Sequence, residues 1–285
     1  MKAKDERHQN ARPMTPQESK LQGLMSASIE CAKRLQLCAN LSQLFAAIFA
    51  LSSVMVDAGV VRVVLTWIGI VGILGRYAFG LAVSWPRGRG ERCRRRLLVS
   101  YGLRDESSEE TLKDAIAEFH KPDVGLQFER SEWFTTRQQP GPAAFLEAMW
   151  ENAFFTHRMY SHAGWWFTWV SAAFVALLLL LLPLVASWVD GNAWHIVVQV
   201  LAVLIGVVIT LDLVGQAIRF HRAAVAMSRI EAESRRLKVN VQTTVKVLEL
   251  FGDYNAVVEA APLTPSMIWR LYRDSIRRAW DERHQ

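Results

Sequence analysis

Residues Ala172–Val185 read AAFVALLLLLLPLV, fourteen positions without a polar side chain. A surface helix of a water-soluble domain keeps one polar stripe, and this run leaves none. It lies inside the longer apolar segment Trp165–Val189, and Leu35–Val56, Val60–Val83 and Trp194–Val214 are of the same kind. Each reaches or exceeds the roughly 20 residues a helix needs to cross about 30 Å of hydrocarbon. The expected fold is therefore all-α: a polytopic membrane protein with four transmembrane helices in two hairpins plus a helical cytosolic region.

The composition agrees. The 285 residues are 51% hydrophobic and 21% charged, with a mean hydropathy of +0.12, whereas soluble domains carry about 25% charged residues. Collagen-like, disulfide-scaffold and disordered classes fall away, since Gly is 16, Pro 9 and Cys 3. The polar stretch before Leu35 is long, and the first run exceeds the 7–15 residues of a signal-peptide core, so this span is expected to stay in the mature chain.

Charge sets the expected orientation. Arg87, Arg89, Arg92, Arg94, Arg95 and Arg96 crowd the exit of the second run, and Arg219, Arg222, Arg229, Arg235 and Arg236 follow the fourth. Basic flanks stay on the cytoplasmic side, so both termini are cytoplasmic in a bacterial inner membrane. The division is then 1–34, a cytosolic amphipathic helix; 35–83, the first hairpin; 84–164, a cytosolic insert; 165–214, the second hairpin; and 215–285, C-terminal helices.

The cytosolic pieces read as helices. Thr15-Pro16-Gln17-Glu18 has capping-box spacing with Pro at the first helical position, and the helix it starts runs on into the first span. Ser107-Ser108-Glu109-Glu110 begins another, stopped by Pro122, and Pro140-Gly141-Pro142 precedes an amphipathic segment over 143–162. Ile230, Ser234, Leu237, Val241, Thr244, Leu248 and Phe251 alternate spacings of four and three up to Gly252. That pattern suits either a coiled-coil seam between copies or packing against the chain's own insert. A last helix starts at Thr264-Pro265.

Four groups of residues are candidates for function. Arg270, Arg273, Arg277 and Arg278, interleaved with Trp269, Tyr272 and Trp280, suit a nucleotide, whose base stacks on a ring while Arg holds the phosphate; a basic helix on the inner leaflet is the alternative. Arg76 and Asp212 lie about 24 Å and about 27 Å from the outer ends of their spans, matched depths that suit an intramembrane ion pair or a water-filled path, with separate snorkelling of each to the cytosolic interface as the alternative. Gln36, Asn40 and Gln43 form a stripe that serves a pore or helix packing. The run Arg87–Arg96 reads as an electrostatic anchor, with an anionic-ligand site as the sharper alternative; its charge is able to lower the pKa of Cys93, although a free cytosolic thiol in a basic tail is usually unremarkable. Gly69, Gly72 and Gly75, with Ala202 and Gly206 in the fourth span, predict close helix approach.

No catalytic signature is present: there is no H-E-x-x-H, P-loop, G-x-S-x-G or C-x-x-C, and His157 and His162 are badly spaced for a shared metal. The expectation is no enzyme, no catalytic residue, no metal and no cofactor.

A hairpin, a helical insert, a second hairpin and a helical tail, with Trp165-Trp166 at the third span and Pro265-Ser266-Met267-Ile268-Trp269 and Tyr272-Arg273 near the end, resemble the SMODS-associating four-transmembrane-helix effectors of CBASS-type anti-phage systems. The resemblance implies an inner-membrane effector that permeabilises the bilayer when a cyclic oligonucleotide appears, working as a homo-oligomer, with no DNA or RNA partner. A constitutive small channel or transporter subunit, or a scaffold recruiting a cytosolic partner, are the alternatives.

Overall fold

The computed structural model describes residues 13–56, 59–103, 106–129, 134–135, 138–188, 198, 200–201, 205–206, 212–239 and 244–283. Among them every regular element is helical: α1 Pro16–Met55, α2 Gly59–Leu103, α3 Glu106–Ala117, a 3-10 segment Pro122–Phe128, α4 Pro142–Trp188, α5 Leu213–Val239, α6 Thr244–Ala260 and α7 Ser266–Arg283. The chain forms two compact units. The helical unit comprises 1–31, 85–163 and 219–285, and the apolar unit 32–84 and 164–218.

The expected capping box starts α1. Thr15 N donates to Glu18 Oε2 at 2.7 Å, and Glu18 N donates to Thr15 Oγ1 at 3.2 Å, so two amides without an intrahelical partner are satisfied reciprocally. From there α1 continues unbroken into the first apolar run, as the sequence predicts. The helix α2 likewise runs through Pro86 and the arginine segment to Leu103.

Leu21 and Leu24 of α1, Leu97 and Tyr101 of α2, Phe145 and Met149 of α4, Met227 of α5 and Tyr254 of α6 build the core of the helical unit. Rings tie its later elements together: Phe145 meets Phe251 edge-on at 5.1 Å, and Trp280 lies 4.9 Å from Trp150 and 5.1 Å from Phe154. Gly102 lets α2 approach so closely that a Cβ there would collide with Phe145.

Two expectations about the C-terminal half need correction. The four-three seam does not stop at Gly252: α6, described from Thr244, continues past it to Ala260, while α5 is described to Val239 and 240–243, Val241 among them, lie outside the described residues. The buried face of α6 is Val247, Leu250, Tyr254 and Val258, with Phe251 half-buried against Phe145, while Leu248 is exposed, so the apolar contact follows the predicted seam only in part. In the fourth run, 198, 200–201 and 205–206 are helical and most of the rest lies outside the described residues. Asp212 breaks the run with a left-handed φ of 51°, which Asp tolerates better than most side chains, and α5 begins after it. The close approach expected at Ala202 and Gly206 falls largely outside the described residues, Ala202 itself being one of those not described.

In the apolar unit the glycine row of α2 packs on α1. A Cβ on Gly72 would stand 2.9 Å from Ala46 Cβ and 3.0 Å from Ser42 O, and one on Gly75 would be 3.4 Å from Ser42 Oγ. We expect Gly72→Ile to cost about 1–3 kcal/mol by overpacking. A lowered melting temperature in detergent checks this, and an unchanged one would rule out the close contact.

The apolar helices are not buried cores. Helices of membrane-crossing length and apolarity lie at Pro16–Ser53 and Gly59–Leu103, and only 22% and 11% of their most apolar windows are covered. Leu41, Leu44, Phe45, Val64, Trp67 and Leu74 all face outward, an apolar patch that water does not favour. The third run is helical through Trp188 and exposes Trp169, Leu177 and Leu180.

Candidate functional site

The helix α7 is amphipathic, with Ile268, Ile276 and Trp280 buried at spacings of eight and four. Opposite them Arg270, Arg273, Arg277 and Arg278 are exposed. Arg273 Nε pairs with Asp274 Oδ1 at 3.1 Å, and Arg278 Nε donates to the Asp274 carbonyl at 3.4 Å. Trp269 and Tyr272 are half-buried at the edge of this face. One face of the Tyr272 ring is stacked on His162 at 3.9 Å, and burial together with Arg158 holds His162 below its ordinary pKa.

Trp280 is not part of a stacking surface. It is 4% exposed, and its Nε1 donates to Thr135 Oγ1 at 3.3 Å. The step of four from Ile268 through Tyr272 and Ile276 to Trp280 was the signal for its burial. Sequence reading also missed that chain's next link. Thr135 donates from N at 2.8 Å and from Oγ1 at 3.0 Å to Glu151 Oε2, and burial pushes Glu151 up to about 7 against those two bonds. At the C-terminal end of α7, Arg283 Nη1 donates to Glu231 Oε1, and Glu231 Oε2 lies 2.9 Å from His157 Nδ1. Burial raises the Glu231 pKa, but these two partners outweigh it and hold it low.

The arginine run reads differently in three dimensions from a solvated anchor. Arg87 Nη2 donates to the carbonyls of Val258 at 3.3 Å, Glu259 at 2.8 Å and Ala261, closing the C-terminus of α6, where unpaired carbonyls and the helix dipole favour a cation. Arg89 stacks 3.8 Å over Trp85, Arg95 pairs with Glu259 at 2.9 Å and Arg96 with Glu118 at 3.0 Å. Arg94 sits deepest, 2.9 Å from Glu91, and donates to Tyr254 Oη at 3.3 Å and Asn255 Oδ1 at 3.4 Å. Burial opposes its charge, yet Tyr254 and Glu91 hold its pKa above the ordinary value. Arg92 stays exposed. At Cys93 burial outweighs the arginines and pushes the thiol up to about 11, so their lowering effect does not prevail.

In the apolar unit Gln36 Nε2 donates to Asn40 Oδ1 at 3.2 Å, while Gln43 is 7% exposed and its Oε1 has no hydrogen-bond partner. Arg76 has a buried, unpartnered Nε, and a Cβ on Gly80 would lie 3.4 Å from its Nη1, so the guanidinium extends along its own helix. The Asp212 carboxylate lies over Gly215 in the first turn of α5, where a side chain would collide with it, and Asp212 O accepts from Gln216 N at 2.8 Å. Among the described residues no cluster of three metal-ligating side chains occurs.

These features define a class: an all-helical protein joining a packed helical unit to apolar helices, two of them of membrane-crossing length and apolarity. No protein family, curated protein or solved structure matches the chain.

Proposed function

We propose that the chain is a four-span inner-membrane effector. In this reading a cyclic oligonucleotide binds the cytosolic helical unit, the protein assembles or rearranges, and the bilayer is permeabilised as an anti-phage response. The supporting observation is the outward row of Arg270, Arg273 and Arg277 on α7, with Trp269 and Tyr272 at its edge. Guanidinium forks suit phosphate oxygens, and the neighbouring rings suit a base. Four helices, α1, α2, α4 and α5, begin in one unit and end in the other, a chain continuity that suits passing a binding event from one to the other. Gating then requires tighter messenger binding to the open or assembled state than to the closed one.

Dye release from phosphatidylethanolamine/phosphatidylglycerol liposomes tests this with cyclic di-GMP, cyclic GMP–AMP and cyclic triadenylate. The expected result is release only with one of these nucleotides, weakened at least tenfold in messenger affinity by Arg270→Ala/Arg273→Ala/Arg277→Ala, since each lost phosphate contact counts about 1 kcal/mol or more. Release without nucleotide would instead mark a constitutive channel, and no release in either case would favour a scaffold.

A further inference from the structure

Gln43 is buried near the contact of α1 and α2, and Arg76, half-buried in the adjoining turn of α2, keeps its Nε out of solvent. The contact is fixed by Gly72 against Ser42 and Ala46 and by Gly75 against Ser42. Gln43 follows Ser42 and Arg76 follows Gly75, which puts both at the same level of the helix pair. Gln43 Oε1 and Arg76 Nε are each buried without a hydrogen-bond partner. An apolar side chain at either position would avoid that cost, so packing alone does not account for them.

The nearby polar groups do not account for them either. Gln36 donates to Asn40, and the Asp212 carboxylate is turned onto the first turn of α5. Arg62, the other basic residue of the second run, donates its Nε to Val56 O at 3.1 Å and so belongs to the outer turn. Arg76 is thus the basic residue well inside the four apolar runs. A guanidinium keeps its charge at any accessible pH, and in a low-dielectric passage a fixed cation attracts anions and repels cations.

We propose that Arg76, with Gln43 at the same level of the helix pair, is the selectivity-determining position of the membrane path, admitting small inorganic anions and turning back cations. This rests on the permeabilising function proposed above. Gln43 supplies an amide that replaces part of the hydration an anion gives up, and Arg76 supplies the charge.

The test is single-bilayer recording of the full-length protein across a KCl gradient, with the same three nucleotides as probes. The wild type is expected to reverse near the chloride potential. Arg76→Gln should bring the chloride-to-potassium permeability ratio down roughly tenfold, toward unity, while Arg76→Lys keeps the wild-type value. A wild-type current that is cation-selective or unselective overturns the proposal without any variant. So does an Arg76→Gln current that reverses where the wild type does, and in that case permeabilisation itself stands. Absence of current from the wild type with every nucleotide overturns both.

Discussion

Arg94→Ala is expected to destabilise the helical unit by about 3–5 kcal/mol, the usual result of removing one partner of a buried ion pair. The side chains of Arg94 and Glu91 are only 13% and 9% exposed, and the truncation would strand the Glu91 carboxylate together with Tyr254 Oη and Asn255 Oδ1. For a unit of this size the melting temperature should fall by roughly 6–20 °C. Arg94→Met combined with Glu91→Leu should recover most of that loss, because the apolar pair needs no compensating charge. Equal losses in the single and double variants would show that the pairing contributes nothing and that Arg94 matters through its packing alone.

That arginine shows where sequence reading ends. Local signals were legible: the capping box of Thr15 and Glu18 closes within four residues, and the Gly69, Gly72 and Gly75 row needs only helical periodicity to predict a close approach. The same holds for the all-helical class and for helix α1 continuing into an apolar run. The partners of the arginine run are 160–174 residues away for Arg94 and Arg87, and nothing in the spacing announces them. Counting basic residues beside an apolar run makes them anchors, while packing makes Arg87 the clamp on α6. Cys93 makes the same point: a row of arginines is able to lower a thiol's pKa, and only burial reveals that it is raised. The exposed arginines of α7 were legible because amphipathic periodicity is local, whereas the covered ring of Tyr272 depends on His162 in α4, 110 positions earlier in the chain.

The second large effect concerns Glu151 and depends on pH. Its carboxyl, ordinarily at 4.5, is pushed up to about 7 by burial and by neighbouring Glu147, against hydrogen bonds from Thr135 that favour the charged form. A carboxyl with a folded pKa above its unfolded one binds its proton more tightly when folded, so its stabilising contribution is complete below about 4.5 and is lost as pH rises through 7. At 1.36 kcal/mol per pH unit, that interval from 4.5 to about 7 comes to about 3 kcal/mol. Glu151→Gln keeps an acceptor for Thr135 and removes the charge. It should flatten the melting temperature between pH 4.5 and 7 and stabilise the protein at pH 7.5 by up to about 3 kcal/mol. Parallel pH profiles for the two proteins would refute the assignment. Because Trp280 reaches Glu151 through Thr135, the same proton bears on how α7 is seated, and α7 carries the exposed arginines. A messenger affinity that changes between pH 6 and 8 in the wild type but not in Glu151→Gln would therefore connect the buried carboxyl to the basic face.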